Sequence, residues 1–226
     1  MKKHVFFTLY LIFIAYSSLF PKSVSAKKNA DTLLNQGVSF YNQGSYEDAI
    51  TCFLEVVKHA SEQKKIITLC KAYNNLGNCY SYTSDLKSAL ANYQNALRIA
   101  EQLKDSTTIA KCTKNIGAMY SESGDFKTAM MYYNKSEQLS KKLKNNFLIA
   151  DCYNNKAVIY EQEKKYETAL TYYQNALTIY KEENNKERLA LSYNNIGIVY
   201  KYQKQYALSI SFYEKSIELS KQLNDS

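Results

Sequence analysis

Residues 73–100 read YNNLGNCYSYTSDLKSALANYQNALRIA. Tyr73, Leu76, Gly77 and Tyr80 recur at three and four residues, the spacing of one helical face. Thr83-Ser84-Asp85 breaks that pattern, and a second stripe follows in Leu86, Ala89, Leu90, Tyr93, Ala96, Leu97 and Ala100. Asp85 stands where a helix N-cap belongs, so the stretch predicts two antiparallel helices joined by a short turn.

The pattern returns every 40 residues. Gly37, Gly77, Gly117, Ala157 and Gly197 share one phase. Three residues later come Phe40, Tyr80, Tyr120, Tyr160 and Tyr200; twelve later, Ala49, Ala89, Ala129, Ala169 and Ser209; sixteen later, Phe53, Tyr93, Tyr133, Tyr173 and Tyr213. The remaining glycines, Gly44 and Gly124, share a second phase seven residues after the first, at the expected turn. A fixed period of this size marks a solenoid. One helix pair cannot bury its own apolar face, so pairs must stack, with the small residue admitting the aromatic of the partner helix. The expected fold is all-α, a right-handed α-solenoid of five stacked helix-turn-helix repeats. The repeats are placed at about residues 30–69, 70–109, 110–149, 150–189 and 190–226, with the solenoid as a whole over 27–226.

Composition agrees. The 226 residues include 6 Gly and 1 Pro, where an average chain of this length holds about 16 and 11. So few breakers disfavour turn-rich β folds and glycine-rich phosphate loops. Lys2 and Lys3, the apolar run Val5–Phe20 and Val24-Ser25-Ala26 form the three parts of a secretory signal peptide over residues 1–26. As a helix the apolar run spans about 24 Å, short of the roughly 30 Å hydrocarbon core, so cleavage after Ala26 is expected. Uncleaved, the segment would be a membrane anchor. The expected location is the periplasm or outside the cell. Without the signal the charge falls from +8 to +5 and only Arg98 and Arg188 remain as arginines. Lysines are dispersed rather than clustered, so no nucleic-acid partner is expected.

At Tyr73, Leu76, Gly77, Tyr80, Ala89, Tyr93 and Ala96 the chain resembles the tetratricopeptide repeat family. The 40-residue period is similar to that of kinesin light chains and spindle-orientation adaptors. The family's usual inter-repeat proline is replaced by Asp105, Asn145 and Asn185. The resemblance implies a non-enzymatic scaffold that holds an extended peptide or partner helix in a concave groove. An alternative it also implies is a sensory or regulatory module acting with a separate signalling protein.

The expected groove follows an asparagine ladder: Asn35, Asn75, Asn115, Asn155 and Asn195, two residues before each small position. Asn is a mediocre helix former, so its repetition inside helices wants a reason. Two readings stand side by side: the amides grip a peptide backbone, or they stitch neighbouring helices together. The same phase names the ladder's neighbours. One residue earlier lie Leu34, Asn74, Lys114, Asn154 and Asn194; four earlier, Asp31, Lys71, Lys111, Asp151 and Leu191; three later, Val38, Asn78, Ala118, Val158 and Ile198. A groove that is basic around Lys71, Lys111 and Lys114 and apolar at its ends is expected. Chaperone-tail binding is not, because Leu34 and Val38 occupy first-repeat places of the clamp used by that branch of the family.

No cofactor, metal site or catalytic constellation is expected. His59 is the one histidine after the leader and takes the place of Ile99, Leu139, Ile179 and Leu219. Cys52, Cys70, Cys79, Cys112 and Cys152 read as small buried residues rather than disulfide partners. In the last repeat Ser209, Ser216 and Ser220 soften a helix whose Ile210, Phe212, Ile217 and Leu219 need cover, so self-association or a partner is expected at that end.

Overall fold

The computed structural model describes residues 29–224, so the leader expected over 1–26 lies outside the described residues. Those residues form ten α-helices: α1 (Ala30–Asn42), α2 (Tyr46–Glu62), α3 (Ile66–Tyr82), α4 (Leu86–Leu103), α5 (Ser106–Glu122), α6 (Phe126–Lys142), α7 (Asn146–Gln162), α8 (Tyr166–Glu182), α9 (Lys186–Tyr202) and α10 (Tyr206–Asn224). They pack as five consecutive hairpins, each leaning on the next, and α1 also touches α3 as α5 touches α7. The architecture is the all-α solenoid that the repeat implies.

Inside each hairpin the predicted contact is present. Ala49, Ala89, Ala129 and Ala169 are wholly buried, and Phe53, Tyr93, Tyr133 and Tyr173 lie buried beside them. A Cβ placed on Gly77 would stand 2.5 Å from the Tyr93 ring, and one on Gly197 would stand 2.8 Å from the Tyr213 ring. The glycine phase is therefore a socket for the aromatic four residues past the alanine. In the fourth repeat Ala157 takes that place, buried in one cluster with Ala169 and Tyr173.

The turns show what periodicity alone does not. All nine have the same form, and each puts one residue in the left-handed region, at 20-residue intervals. Gly44 and Gly124 do so at φ +77° and +83°. The other seven positions hold Lys64, Ser84, Lys104, Lys144, Lys164, Asn184 and Lys204, with φ between 52° and 62°. The next residue's N–H closes back on the preceding helix, as in Asp85 N–H to the Tyr80 carbonyl at 2.9 Å. A non-glycine residue there costs roughly 1–2 kcal/mol. Five of the seven are lysines, whose charge opposes the negative end of the helix just completed. Five of the dispersed lysines are thus turn chemistry.

The residue after each left-handed position starts the next helix. Asp85, Asp105, Asp125, Asn145 and Asn185 each accept a hydrogen bond from the N–H three residues on, at 2.9 to 3.1 Å. Hydrogen bonds from Ser88, Thr108 and Thr128 hold the carboxyls of Asp85, Asp105 and Asp125 below the ordinary carboxylate range. In α10 the serines do more than soften the helix. Ser209 and Ser216 donate to the Gly197 and Ala190 carbonyls of α9 at 2.9 and 2.8 Å, and Ser136 makes the same link to Ala110 in the third hairpin. Phe212 is half-buried against Tyr193 and Tyr200, whereas Ile210 and Ile217 are exposed.

Candidate functional site

The position four residues before the ladder sorts the first four repeats into two kinds, and the fifth has Leu191 there. In the first and fourth it is aspartate, and each carboxylate reaches the residue 37 places on. Asp31 accepts from Thr68 at 2.9 Å and pairs with Lys65 at 2.7 Å. Asp151 lies 3.8 Å from the Arg188 guanidinium, accepts from the Tyr180 hydroxyl at 2.8 Å and pairs with Lys114 at 2.7 Å. In the second and third repeats the same position holds Lys71 and Lys111. Both are exposed, and neither has a carboxylate within ion-pair distance among the described residues.

This corrects the expectation of a basic centre that includes Lys114. Its ammonium faces Asp151, with the two side chains 19% and 5% exposed. Burial pushes the Asp151 carboxyl up, but Lys114 and Arg188 outweigh it and hold the group below its usual range. A second internal pair lies alongside. Lys156, 3% exposed, is bonded to Glu137, which also takes Lys141 at 2.5 Å. Lys156 occupies the core position held elsewhere by Leu76, Ile116 and Ile196, and it went unnoticed in the sequence. The signal was there: a cation at a core phase requires a carboxylate close by.

A cavity of about 530 Å³ opens between α1, α3 and α5. Leu34, Asn35 and Val38 line it from α1, and Ile67, Lys71, Asn74 and Asn75 from α3. Leu103, Asp105, Thr108 and Lys111 close it from the far side. The volume falls in the roughly 300–1,000 Å³ range of ligand pockets. Val38, Ile67 and Leu103 remain exposed there despite their size. Of the expected site residues, Asn35, Asn74, Asn75, Lys71 and Lys111 meet in this cavity. Asn78, Lys114, Asn115, Asn154, Asn155, Asn194 and Asn195 are not among its lining.

Two ladder amides reach the neighbouring first helix. Asn115 donates to Asn78 at 3.5 Å, and Asn78 also accepts from the Tyr93 hydroxyl at 2.8 Å. Asn195 donates to Asn154 at 3.2 Å. Asn35 is exposed, and Asn75, Asn155 and Asn194 are half-buried. A smaller cavity of about 370 Å³ lies between α8, α9 and α10, bounded by Leu170, Gln174, Tyr200 and Phe212.

The five cysteines are buried thiols outside any disulfide. Burial raises Cys79 and Cys152 to about 11 and Cys112 to about 12, far from a reactive thiolate. His59 lies on the flank of α2 with Nδ1 3.7 Å from the Glu62 carboxylate. Among the described residues no three His, Cys, Asp or Glu side chains converge as a metal site. No helix among them is long and apolar enough to cross a membrane.

Stacked hairpins with a ligand-sized cavity between first helices define a helical-repeat protein. Tetratricopeptide repeat models match residues 31–61, 68–142 and 148–222, and the chain belongs to the tetratricopeptide repeat family. No curated protein matches it. Among solved structures, BtubC (BKLC) from P. vanneervenii is similar at 19% identity and a TM-score of 0.69, over 94% of this chain and 86% of that one. A Rap protein complexed with competence and sporulation factor shares 15% identity at a TM-score of 0.79, over 87% of this chain and 55% of that one. Aspartyl phosphate phosphatase F from Bacillus subtilis shares 16% at 0.74, over 87% and 51%. The chain thus spans about half the length of the last two, and at these identities the likeness is one of fold.

Proposed function

We propose that the protein is an exported, non-enzymatic scaffold that holds an extended peptide or partner helix along its first helices. The cavity between α1, α3 and α5 carries the reading: it combines side-chain amides at Asn35, Asn74 and Asn75 with exposed apolar side chains at Val38, Ile67 and Leu103. Amides offer donor and acceptor together, which suits main-chain recognition of many sequences. Cross-linked pull-down from the cell envelope would name the partner. Replacing Asn35 and Asn75 with Ala should then weaken capture while helicity stays intact. Unchanged capture would end the groove reading.

Export rests on the leader pattern of residues 1–26. Mass spectrometry of the protein from its own cells should find a chain that starts at Lys27. A second reading, a sensory module working through a separate signalling protein, draws on the same cavity. A Rap protein of this fold has been solved with competence and sporulation factor bound. Self-association through the last repeat rests on exposed Ile210 and Ile217. A strict monomer by light scattering at high micromolar concentration would count against it.

A further inference from the structure

We propose that the cavity selects a peptide segment carrying one acidic side chain next to aliphatic ones, and that Asp151 limits this acid-reading region to the first three repeats. The proposal rests on the groove reading above and adds the chemistry of the ligand.

Charge placement is the first ground. Two lysines of equal phase, Lys71 and Lys111, reach the cavity from α3 and α5. Each lysine feels a nearby carboxylate, Lys71 that of Asp31 and Lys111 that of Asp105, but neither is within ion-pair distance. Asp31 is held by Lys65 and Thr68, and Asp105 by the Thr108 N–H at 3.1 Å and hydroxyl at 2.5 Å. Asp105 also lines the cavity, so two cations face one carboxylate, and a single added carboxylate balances them. The apolar side chains fix the rest of the ligand. Leu34 and Val38 line the same space from α1 and Ile67 from α3, where aliphatic groups would leave water.

The second ground is the contrast further along. Lys114 and Lys156 lie on first helices too, yet Asp151 and Glu137 consume their charge internally. The position that frees a lysine in repeats two and three supplies an acid in repeat four. Anion recognition therefore stops at α5. The carboxylate is assigned to a side chain, and the test below separates it from a chain terminus.

The test is selection of amidated, N-acetylated nonapeptides from a randomised library on the full chain. Asp or Glu beside Leu, Ile or Val should be enriched. In a selected peptide, Glu→Gln should weaken binding about five- to tenfold, less so in high salt. Freeing the C-terminal carboxylate should change nothing. Lys71→Gln with Lys111→Gln should abolish the acidic preference and keep the aliphatic one; both side chains are exposed, and circular dichroism checks the fold. Asp151→Asn should release Lys114 and add a second acidic preference. Peptides selected with no preference for Glu over Gln would overturn this proposal and leave the groove standing. Selection of no peptide at all would overturn both.

Discussion

Lys114 Nζ stands 2.7 Å from Asp151 Oδ2 across the junction of the third and fourth hairpins. A lone carboxylate there would be costly, and Arg188 and Tyr180 add to its satisfaction. The pair turns a phase that is open to solvent in two repeats into an internal tie.

Removing that tie should be expensive. Asp151→Asn leaves Lys114 facing no charge, with an expected loss of about 3 kcal/mol at neutral pH. The Asp151 carboxyl is held below its usual range, so its contribution is present above about pH 4 and is lost as pH falls through the folded value. Urea melts of wild type and variant should therefore differ most at neutral pH and converge in acid. A constant difference across that range would show that the charge is not the source.

Gly77→Ala should destabilise by about 1–3 kcal/mol, because its methyl group would enter the Tyr93 ring. Thermal melting monitored at 222 nm would measure this. The cost should fall in Gly77→Ala/Tyr93→Leu, where the ring is gone.

Ser84→Gly should stabilise by about 0.5–1 kcal/mol, since Ser84 sits at φ 62°. Lys104→Gly relieves the same backbone at φ 55° but removes a cation from a helix end, so it should gain less. Equal gains in chemical denaturation would mean that the turn lysines serve no electrostatic role.

The glycine sockets, the aromatic phase and the caps at Asp85 and Asp125 were legible in the sequence because each is local and repeats. The left-handed lysines were not, since lysine carries no preference for that backbone; only their place in a 20-residue series with Gly44 and Gly124 marks them. Asp151 and Lys114 were not either. The phase of Asp151 is exposed at Lys71 and Lys111, and whether a charge there points to solvent depends on what the adjacent repeat offers it. The cavity needed residues from three repeats, so no single repeat could reveal it.

The central claim is that the amides between α1 and α3 hold a peptide. Its direct measure is the dissociation constant of a library-selected peptide, by fluorescence anisotropy, for the wild-type chain and for Asn35→Ala/Asn75→Ala. Two lost amide contacts at about 1 kcal/mol each predict binding weaker by about ten- to thirtyfold, with helicity and melting unchanged. Equal affinity in a folded variant would contradict it.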